Sequence, residues 1–314
     1  MDKNLTLDFV RVTEDAAIEA AKWVGKGDKE KADDAAVQAL RKRLNEMNIH
    51  GTVVIGEGER DDAPMLYIGE EVGVKGFIEL DIAVDPLEGT TPTAKGGLNA
   101  MSVLAIAPKG CILNAPDTYM DKIAVGPRAK GKIDLDASTK DNIELVAKCL
   151  NKKVEDMTII VMDRQRNYQL IKEIRETGAR VRLIQDGDVS GAIAPSLPDS
   201  GIDMLMGIGA APEGVLAAAA LKTFGGEIQG RLKFRSEEEK QRTIKMKYLD
   251  DVHKKLSIDD MVKGDNVFFV ATGVTNGEIL DGVKVYDKYV KTHSIVTRSI
   301  SGTIRFIETI HKIE

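Results

Sequence analysis

The chain has 314 residues, 43% of them hydrophobic and 30% charged, with a formal net charge of −6. These proportions are typical of a globular protein of about two domains, and they exclude a disordered, collagen-like or disulfide-rich chain. The acidic balance argues against nucleic acid or an anionic membrane surface as the main partner.

The first residues lack the basic start and apolar stretch of a signal peptide, and no run approaches the roughly 18 apolar residues of a membrane span. The two cysteines, Cys111 and Cys149, have no Cys-x-x-Cys spacing. We therefore expect a cytoplasmic protein with two buried thiols and no membrane contact.

The first third of the sequence predicts two helices followed by strands. Thr13 is a plausible N-cap of a helix that ends near residue 24, and apolar residues at helical spacing over 37–47 predict a second helix. Residues 52–55, 78–84 and 102–107 read as strands. The second of these is expected to stop at Asp85-Pro86, because proline cannot donate to a ladder.

In the middle of the chain, strands alternate with helices. Strands are predicted at 157–162, 181–184 and 202–206, with helices at 168–177 and from Pro212 to residue 224. This alternation predicts an α/β fold with a parallel layer, in which ligands gather at the carboxyl ends of the strands.

Ser236 to Glu239 have capping-box spacing and predict the start of a polar helix, and residues 267–271 and 295–307 read as strand-rich. The region around Lys152-Lys153 is polar, and the α/β alternation starts afresh after it. We therefore place a domain boundary there, giving domains of residues 1–153 and 154–314.

The sharpest chemical feature is the stretch Asp-Pro-Leu-Glu-Gly-Thr at residues 85–90, where two carboxylates follow a buried strand. Gly89 permits close backbone approach, and the amides after it could face an anion if a helix or turn starts there. An acidic turn with Thr90 as a helix cap is the alternative interpretation.

Three further acidic segments have a similar setting. Glu57 lies between glycines after a strand, Glu213 opens an Ala- and Leu-rich helix after a Gly-rich turn, and Asp33-Asp34 stand near the start of the second helix. Each has an alternative explanation: a charged surface turn, an acid that complements the helix dipole, and an N-cap.

Their conjunction favours a metal site. If these carboxylates converge, each pair at about 4 Å repels by on the order of 4 kcal/mol at an effective dielectric of 20. A cation must then neutralise them. The four histidines and both cysteines lie outside these segments, and oxygen ligands alone favour Mg²⁺ or Mn²⁺, which bind substrate phosphate as well.

The Asp-Pro-Leu-Glu-Gly-Thr stretch resembles the signature of the lithium-sensitive, metal-dependent sugar and inositol phosphatases. The Gly-Glu-Gly-Glu segment and the helix that begins at Glu213 resemble two further motifs of that superfamily. More specifically, the chain from about residue 9 onward resembles class II fructose-1,6-bisphosphatases, through stretches that begin at Gly51, Ala63, Asn114 and Gly207.

The resemblance implies a two-domain, layered α-β-α-β-α sugar phosphatase fold and a homodimer or homotetramer. It implies metal ligands at Asp33, Glu57, Asp85, Glu88 and Glu213, the acids already singled out by their charge. Thr90 would orient the attacking water, and Asp61 would assist proton transfer. The implied substrate contacts are Lys29, Glu88, Gly89, Thr90, Tyr119, Arg164, Gln165, Arg166, Asp186, Gly187, Asp188 and Ala210.

The implied reaction is hydrolysis of the 1-phosphate of fructose 1,6-bisphosphate, as in gluconeogenesis. Arg164 and Arg166 are suited to clamp the second phosphate, since arginine binds phosphate in a bidentate fork. Thr91-Pro92-Thr93 and Ala210 depart from the family pattern and could alter phosphate affinity or substrate preference. A dual fructose/sedoheptulose bisphosphatase, an inositol-type monophosphatase and a catalytically silent sugar-phosphate binder are the alternatives.

Overall fold

The computed structural model describes residues 5–58, 65–246 and 249–313. The chain forms two compact units. The first contains the residues up to Ile112 together with those from Gly264 onward, and the second is Leu113–Lys263.

In the first unit the elements are α1 (Thr6–Ala21), α2 (Lys29–Asn45), β1 (His50–Ile55), β2 (Glu71–Gly73), β3 (Glu79–Glu88), α3 (Thr90–Lys95) and β4 (Met101–Pro108). The second unit contains β5 (Tyr119–Val125), α4 (Thr139–Leu150), β6 (Thr158–Met162), α5 (Tyr168–Glu176), β7 (Arg180–Ile184), α6 (Asp188–Ile193), β8 (Met204–Ala210), α7 (Ala211–Phe224), β9 (Glu227–Lys233), α8 (Glu237–Met246) and α9 (Ile258–Met261). The chain then returns to the first unit with β10 (Phe268–Gly273), β11 (Lys284–Val285), β12 (Tyr289–Arg298) and β13 (Thr303–Lys312).

The sheet of the first unit has the order β11-β12-β10-β4-β3-β1-β2, with β13 paired to β12. Only one of the pairings described in this sheet, β1 with β3, is parallel. The apolar faces of α1 and α2 pack on the sheet through Phe9, Leu40 and Leu44, which are fully buried. Leu40 and Leu44 are four positions apart on α2, so the helical period places both on the face that meets the sheet.

The second unit is built on a sheet of order β7-β6-β8-β5-β9. Strand β6 runs parallel to β7 and β8, whereas β5 is antiparallel to both of its neighbours. The α/β class and the parallel layer predicted from the alternating elements are therefore confirmed. The carboxyl ends of β6, β7 and β8 therefore lie at the same edge of the sheet, and the loops that follow these strands form the surface there.

The predicted N-cap at Thr13 is wrong, because α1 begins at Thr6 and Thr13 lies buried within it. Its hydroxyl donates to the carbonyl of Val10 at 3.0 Å and shares a hydrogen bond with the hydroxyl of Thr272 at 2.7 Å. A threonine that bonds back along its own helix satisfies its hydroxyl without ending the helix.

Strand β3 does not stop at Asp85-Pro86 as predicted, but continues to Glu88. Its ladder with β1 ends at Ala83, and its ladder with β4 shifts register between Asp85 and Glu88. Pro86 therefore falls in an irregular stretch where no regular ladder bond is required of it.

The predicted boundary at residues 153–154 lies inside the second unit, between α4 and β6. The units instead divide after Ile112 and after Lys263. The reason is long-range pairing: β10 aligns with β4, from Phe268 opposite Ile106 to Gly273 opposite Met101, and so joins the C-terminal strands to the first sheet.

In the part of the chain that the structure describes, the helices are too short or too polar to span a bilayer. Cys111 and Cys149 are half-buried rather than fully buried, and they do not form a disulfide.

Candidate active site

Glu57 follows β1, and Asp85 lies in the last part of β3, beyond the end of its parallel ladder with β1. Ile55, the last residue of β1, is aligned with Ala83 of β3. Glu57 and Asp85 each come two residues later in the sequence. Their shared strand direction brings both acids to the same edge of the sheet, as their positions after strands predicted.

Asp33 is joined to Glu57 by a hydrogen bond between the two carboxyl groups. Burial, the charge of Asp33 and this bond raise the pKa of Glu57 to about 8. Burial also raises the pKa of Asp33 to about 6, although the bond from Glu57 acts in the opposite direction. Glu57 is therefore the carboxyl that retains the proton and donates it to Asp33.

The N-cap interpretation of Asp33 is excluded. The cap of α2 is Asp28, whose side chain accepts from the amide of Lys31, and Asp33 is the fifth residue of the helix. Lys29, a predicted substrate contact, is exposed at the first helical position.

A buried scaffold holds the Glu57 turn in place. The amide of Glu57 donates to the carbonyl of Leu66 at 3.1 Å, and a Cβ on Gly56 would lie 2.0 Å from that same oxygen. The amide of Leu66 in turn donates to buried Glu70, which Arg41 binds at 2.5 Å. Glycine at position 56 is thus required by close backbone approach, since a side chain would displace the turn.

Glu88, Gly89 and Thr90 link β3 to α3. Glu88 is buried, Gly89 has a φ of +96°, and Thr90 is the first residue of the helix. The hydroxyl of Thr93 donates to the carbonyl of Gly89 at 2.8 Å and fixes this turn. A helix does start here, but its N-cap is Gly89, so the alternative in which Thr90 is the cap is wrong; Thr90 is half-buried.

The acids of the first unit have the chemistry of a hard divalent cation site, because the donors in question are all carboxylate oxygens. Within residues 5–58, 65–246 and 249–313, however, no group of three or more His, Cys, Asp or Glu side chains is arranged to hold an ion. The five-residue ligand set stays a prediction. Asp61, the predicted proton-transfer residue, lies outside the described residues.

In the second unit, the predicted sugar-phosphate contacts gather at one edge of the sheet. Residues 164–166 follow β6, residues 186–188 follow β7, and Ala210 ends β8. Tyr119 begins antiparallel β5 directly opposite Ala210. The tertiary structure therefore brings together four sequence segments that are separated by 20 or more positions.

Arg166 lies over the ring of Tyr119, with 4.3 Å between the guanidinium carbon and the ring centroid. Its Nε donates to the carbonyl of Ile208 at 2.9 Å, so this hydrogen bond uses one of the five N–H donors of the guanidinium group. Arg164 is bound more tightly to the backbone, since it donates to the carbonyls of Asp163 and Gln185. Gln165 is exposed between them.

The residues after β7 form a second acidic group. Gly187 has a φ of +94°, and Asp188 is the buried first residue of α6. Burial raises the pKa of Asp186, whereas the amide of Gly187 stabilises its charged form.

Glu213, in the first turn of α7, is hydrogen-bonded to Asp188. Burial, followed by the charge of Asp188, raises the pKa of Glu213 to about 7, and the Lys122 ammonium acts in the opposite direction. The dipole interpretation of Glu213 is therefore incomplete, because the residue belongs to a buried charge network.

Sequence reasoning missed three residues of this edge. Lys122 is a buried lysine of β5, Asn167 donates to the carbonyl of Met162 at 3.0 Å, and Arg235 lies 5.2 Å from the ring of Tyr119. Of the three, only Lys122 could have been found from the sequence, because a lysine in the strand-like segment Met-Asp-Lys-Ile-Ala-Val is unusual. The other two are ordinary polar residues whose role depends on their neighbours.

The model of the family described as "Bacterial fructose-1,6-bisphosphatase, glpX-encoded" matches residues 3–311. A relative from Synechococcus sp. is 46% identical over 334 aligned residues, which cover 99% of this chain and 96% of the relative. Another from Synechocystis sp. is 46% identical over 340 residues, covering 100% of this chain and 98% of the relative. Both are described as D-fructose 1,6-bisphosphatase class 2/sedoheptulose 1,7-bisphosphatase.

Among solved structures, the extragenic suppressor protein suhB from Bartonella henselae aligns with a TM-score of 0.36 and 15% identity, over 62% of this chain and 74% of its own. An inositol monophosphatase from Anabaena (Nostoc) sp. aligns with a TM-score of 0.32 and 13% identity, over 61% and 70% respectively.

The identification rests on the family model and on the relatives, whose match extends over almost the whole chain. It agrees with the resemblance carried by the acidic motifs. The chain belongs to the bacterial fructose-1,6-bisphosphatase family, the class II enzymes, which are phosphoric monoester hydrolases acting in carbohydrate metabolism.

Proposed function

We propose that this protein hydrolyses the 1-phosphate of fructose 1,6-bisphosphate to give fructose 6-phosphate and phosphate, with Mg²⁺ or Mn²⁺ as cofactor. The observation that supports this most directly is the pair of parallel strands that bring Glu57 and Asp85 to one edge, with Asp33 hydrogen-bonded to Glu57. Buried carboxyls that share a proton are the groups that a divalent cation would bind in place of that proton.

Asp33, Glu57, Asp85 and Glu88 would hold the metal in the first unit. A bound divalent cation would lower the pKa of a water and neutralise the phosphoryl and leaving oxygens. Glu213 is a predicted ligand through the resemblance alone.

Thr90 would orient the attacking water, since its hydroxyl can both accept and donate a hydrogen bond. Support comes from its place immediately after Glu88 and Gly89, on a turn that the hydroxyl of Thr93 braces. Placing the water in line with the scissile bond contributes to the rate by removing orientational freedom.

The second unit would bind the part of the substrate that does not react. Arg166 presents its guanidinium over Tyr119 and is suited to a phosphate group. Asp186 and Asp188 can accept hydrogen bonds from sugar hydroxyls. The buried setting of Asp188 favours a fixed acceptor over a mobile one.

A second candidate activity is hydrolysis of sedoheptulose 1,7-bisphosphate. The relatives from Synechococcus sp. and Synechocystis sp. carry both activities in their descriptions. We also propose a homodimer or homotetramer, from the resemblance, and a cytoplasmic location, from the sequence; sedimentation of the purified protein measures the oligomeric state.

The test is phosphate release from fructose 1,6-bisphosphate, sedoheptulose 1,7-bisphosphate, fructose 6-phosphate and inositol 1-phosphate, with Mg²⁺, Mn²⁺ or a chelator. We expect metal-dependent release from the bisphosphates. Asp85→Asn and Glu213→Gln should abolish it while the far-UV circular dichroism spectrum stays that of the folded chain.

Glu30→Gln, an exposed acid of α2, is the charge-matched control and should keep its activity. Release of phosphate from inositol 1-phosphate in preference to the bisphosphates would support a monophosphatase instead. Calorimetric binding of a sugar bisphosphate without turnover would support a silent binder.

A further inference from the structure

Lys122 is a buried charge to which the proposed reaction gives no role. It lies in the middle of β5, and its side chain is 2% exposed. A lysine is almost never buried without a partner, because removing an ammonium group from water costs several kcal/mol.

The partners of Lys122 come from two other elements at the edge of the second sheet. Its Nζ forms an ion pair with the carboxylate of Asp188, which is 4% exposed, and donates to the carbonyl of Ala210 at 2.9 Å. Asp188 begins α6 and Ala210 ends β8. One ammonium group therefore joins β5, α6 and β8 at the place where the predicted substrate contacts meet.

The glycines of the 207–214 segment leave room for this network. A Cβ on Gly209 would lie 1.8 Å from Oδ2 of Asp188 and 2.9 Å from Nζ of Lys122. A Cβ on Gly214 would lie 3.1 Å from Cδ of Lys122. Glycine at position 209 is thus needed so that the lysine can reach the carboxylate, whereas a side chain at position 214 would press first on Met120 and then on the lysine stem.

We propose that Lys122 is a positioning residue that fixes the Asp188 carboxylate and the Ala210 carbonyl in the geometry that receives the sugar phosphate. This rests on the proposed function, because Asp188 and Ala210 are substrate contacts only in that reaction. A carboxylate held by a charge-assisted bond is fixed in position before the substrate arrives, so less orientational freedom is lost on binding.

A control ion pair, with a lysine that is 38% exposed, lies at the opposite end of β8. Lys152 binds Asp203 at 2.6 Å, and Asp203, which is 7% exposed, precedes β8 at the opposite edge of the sheet. Asp203 also accepts from the amide of Thr158 at 2.9 Å. Both lysines therefore brace β8, but only Lys122 does so beside the predicted substrate contacts.

The experiment compares Lys122→Met with Lys152→Met in steady-state phosphate release from fructose 1,6-bisphosphate and in calorimetric binding of fructose 6-phosphate. Urea unfolding of each variant gives the accompanying loss of stability. We expect Lys122→Met to raise KM and to weaken binding at least tenfold, with a smaller effect on kcat. Lys152→Met should change KM less than twofold.

A folded Lys122→Met protein with KM and binding within twofold of wild type would overturn the proposal. An equal rise of KM in Lys152→Met would do the same, since it would show a general effect of bracing β8. Lys122→Gln, which keeps a donor, is the second variant, and failure of both variants to fold would assign Lys122 to the core instead. Absence of turnover in the wild type would refute the proposed function, while the binding comparison would still test Lys122.

Discussion

Ionisation of Glu57 should destabilise the metal-free protein as the pH rises. The pKa of Glu57 is about 8 in the folded chain against an ordinary value of 4.5, because the carboxyl is buried beside Asp33. Between these values the unfolded chain loses the proton and the folded chain keeps it, so the folded state binds more protons and its stability falls with pH. The contribution of the neutral Glu57 carboxyl to the unfolding free energy is fully present below about pH 4.5 and is lost progressively up to about pH 8.

The magnitude follows from the same two values. Each pH unit in this window costs 1.36 kcal/mol, so the whole interval from 4.5 to about 8 corresponds to roughly 5 kcal/mol. Between pH 5.5 and 8, the part accessible to experiment, Glu57 should account for about 3 kcal/mol of lost unfolding free energy.

The assay is urea unfolding in the presence of EDTA at several pH values, followed by tryptophan fluorescence. Trp23 is the only tryptophan of the chain and packs against the core of the first unit, so it reports on the unit that contains Glu57. Glu57→Gln should remove this part of the pH dependence, whereas Glu30→Gln, with the same change of charge at an exposed position, should keep it. Parallel pH profiles for wild type and Glu57→Gln would refute the reasoning.

Three further predictions concern metal, phosphate and packing. Mn²⁺ at a hundred times its Kd should raise the unfolding free energy of the metal-free protein by about 2.7 kcal/mol, and the gain should shrink in Glu57→Gln when measured by the same urea titration. Arg166→Lys should raise KM for fructose 1,6-bisphosphate about tenfold, because lysine cannot reproduce the arginine fork; Arg175→Lys, on the exposed side of α5, should not, and steady-state kinetics compare them. Gly209→Ala should lower the unfolding free energy by about 1–3 kcal/mol, because the added methyl overlaps the carboxylate of Asp188; an unchanged urea midpoint would contradict this.

The sequence predicted the type of most elements because local patterns carry that information. The strands at β1, β4, β6 and β7 and the helices α5 and α7 lie close to their expected positions. The predictions that were wrong depend on contacts between segments that are distant in the sequence. Thr13 has a capping side chain, yet it occupies the interior of α1, where Thr272 provides its partner from a distant strand.

Some features of the candidate site could likewise be predicted from local sequence patterns, and others could not. Glu57 and Asp85 could be predicted to lie at one sheet edge, because each follows an apolar strand and parallel strands end together. The hydrogen bond between Asp33 and Glu57 could not be predicted, since it depends on how α2 packs against the sheet. Nor could the ion pair of Lys122 with Asp188, which are 66 positions apart.

The amino-acid sequence by itself determined that acidic residues stand near the ends of several strands. These residues indicated a site with carboxylate oxygen ligands, and their motifs carried the family resemblance. Only the tertiary structure decided the division into units, because β10 pairs with β4 across more than 150 intervening residues. It also decided that Gly209 leaves room for the ion pair of a buried lysine. The physical reason is that strand register and close packing are properties of pairs of segments, and no single segment encodes its partner.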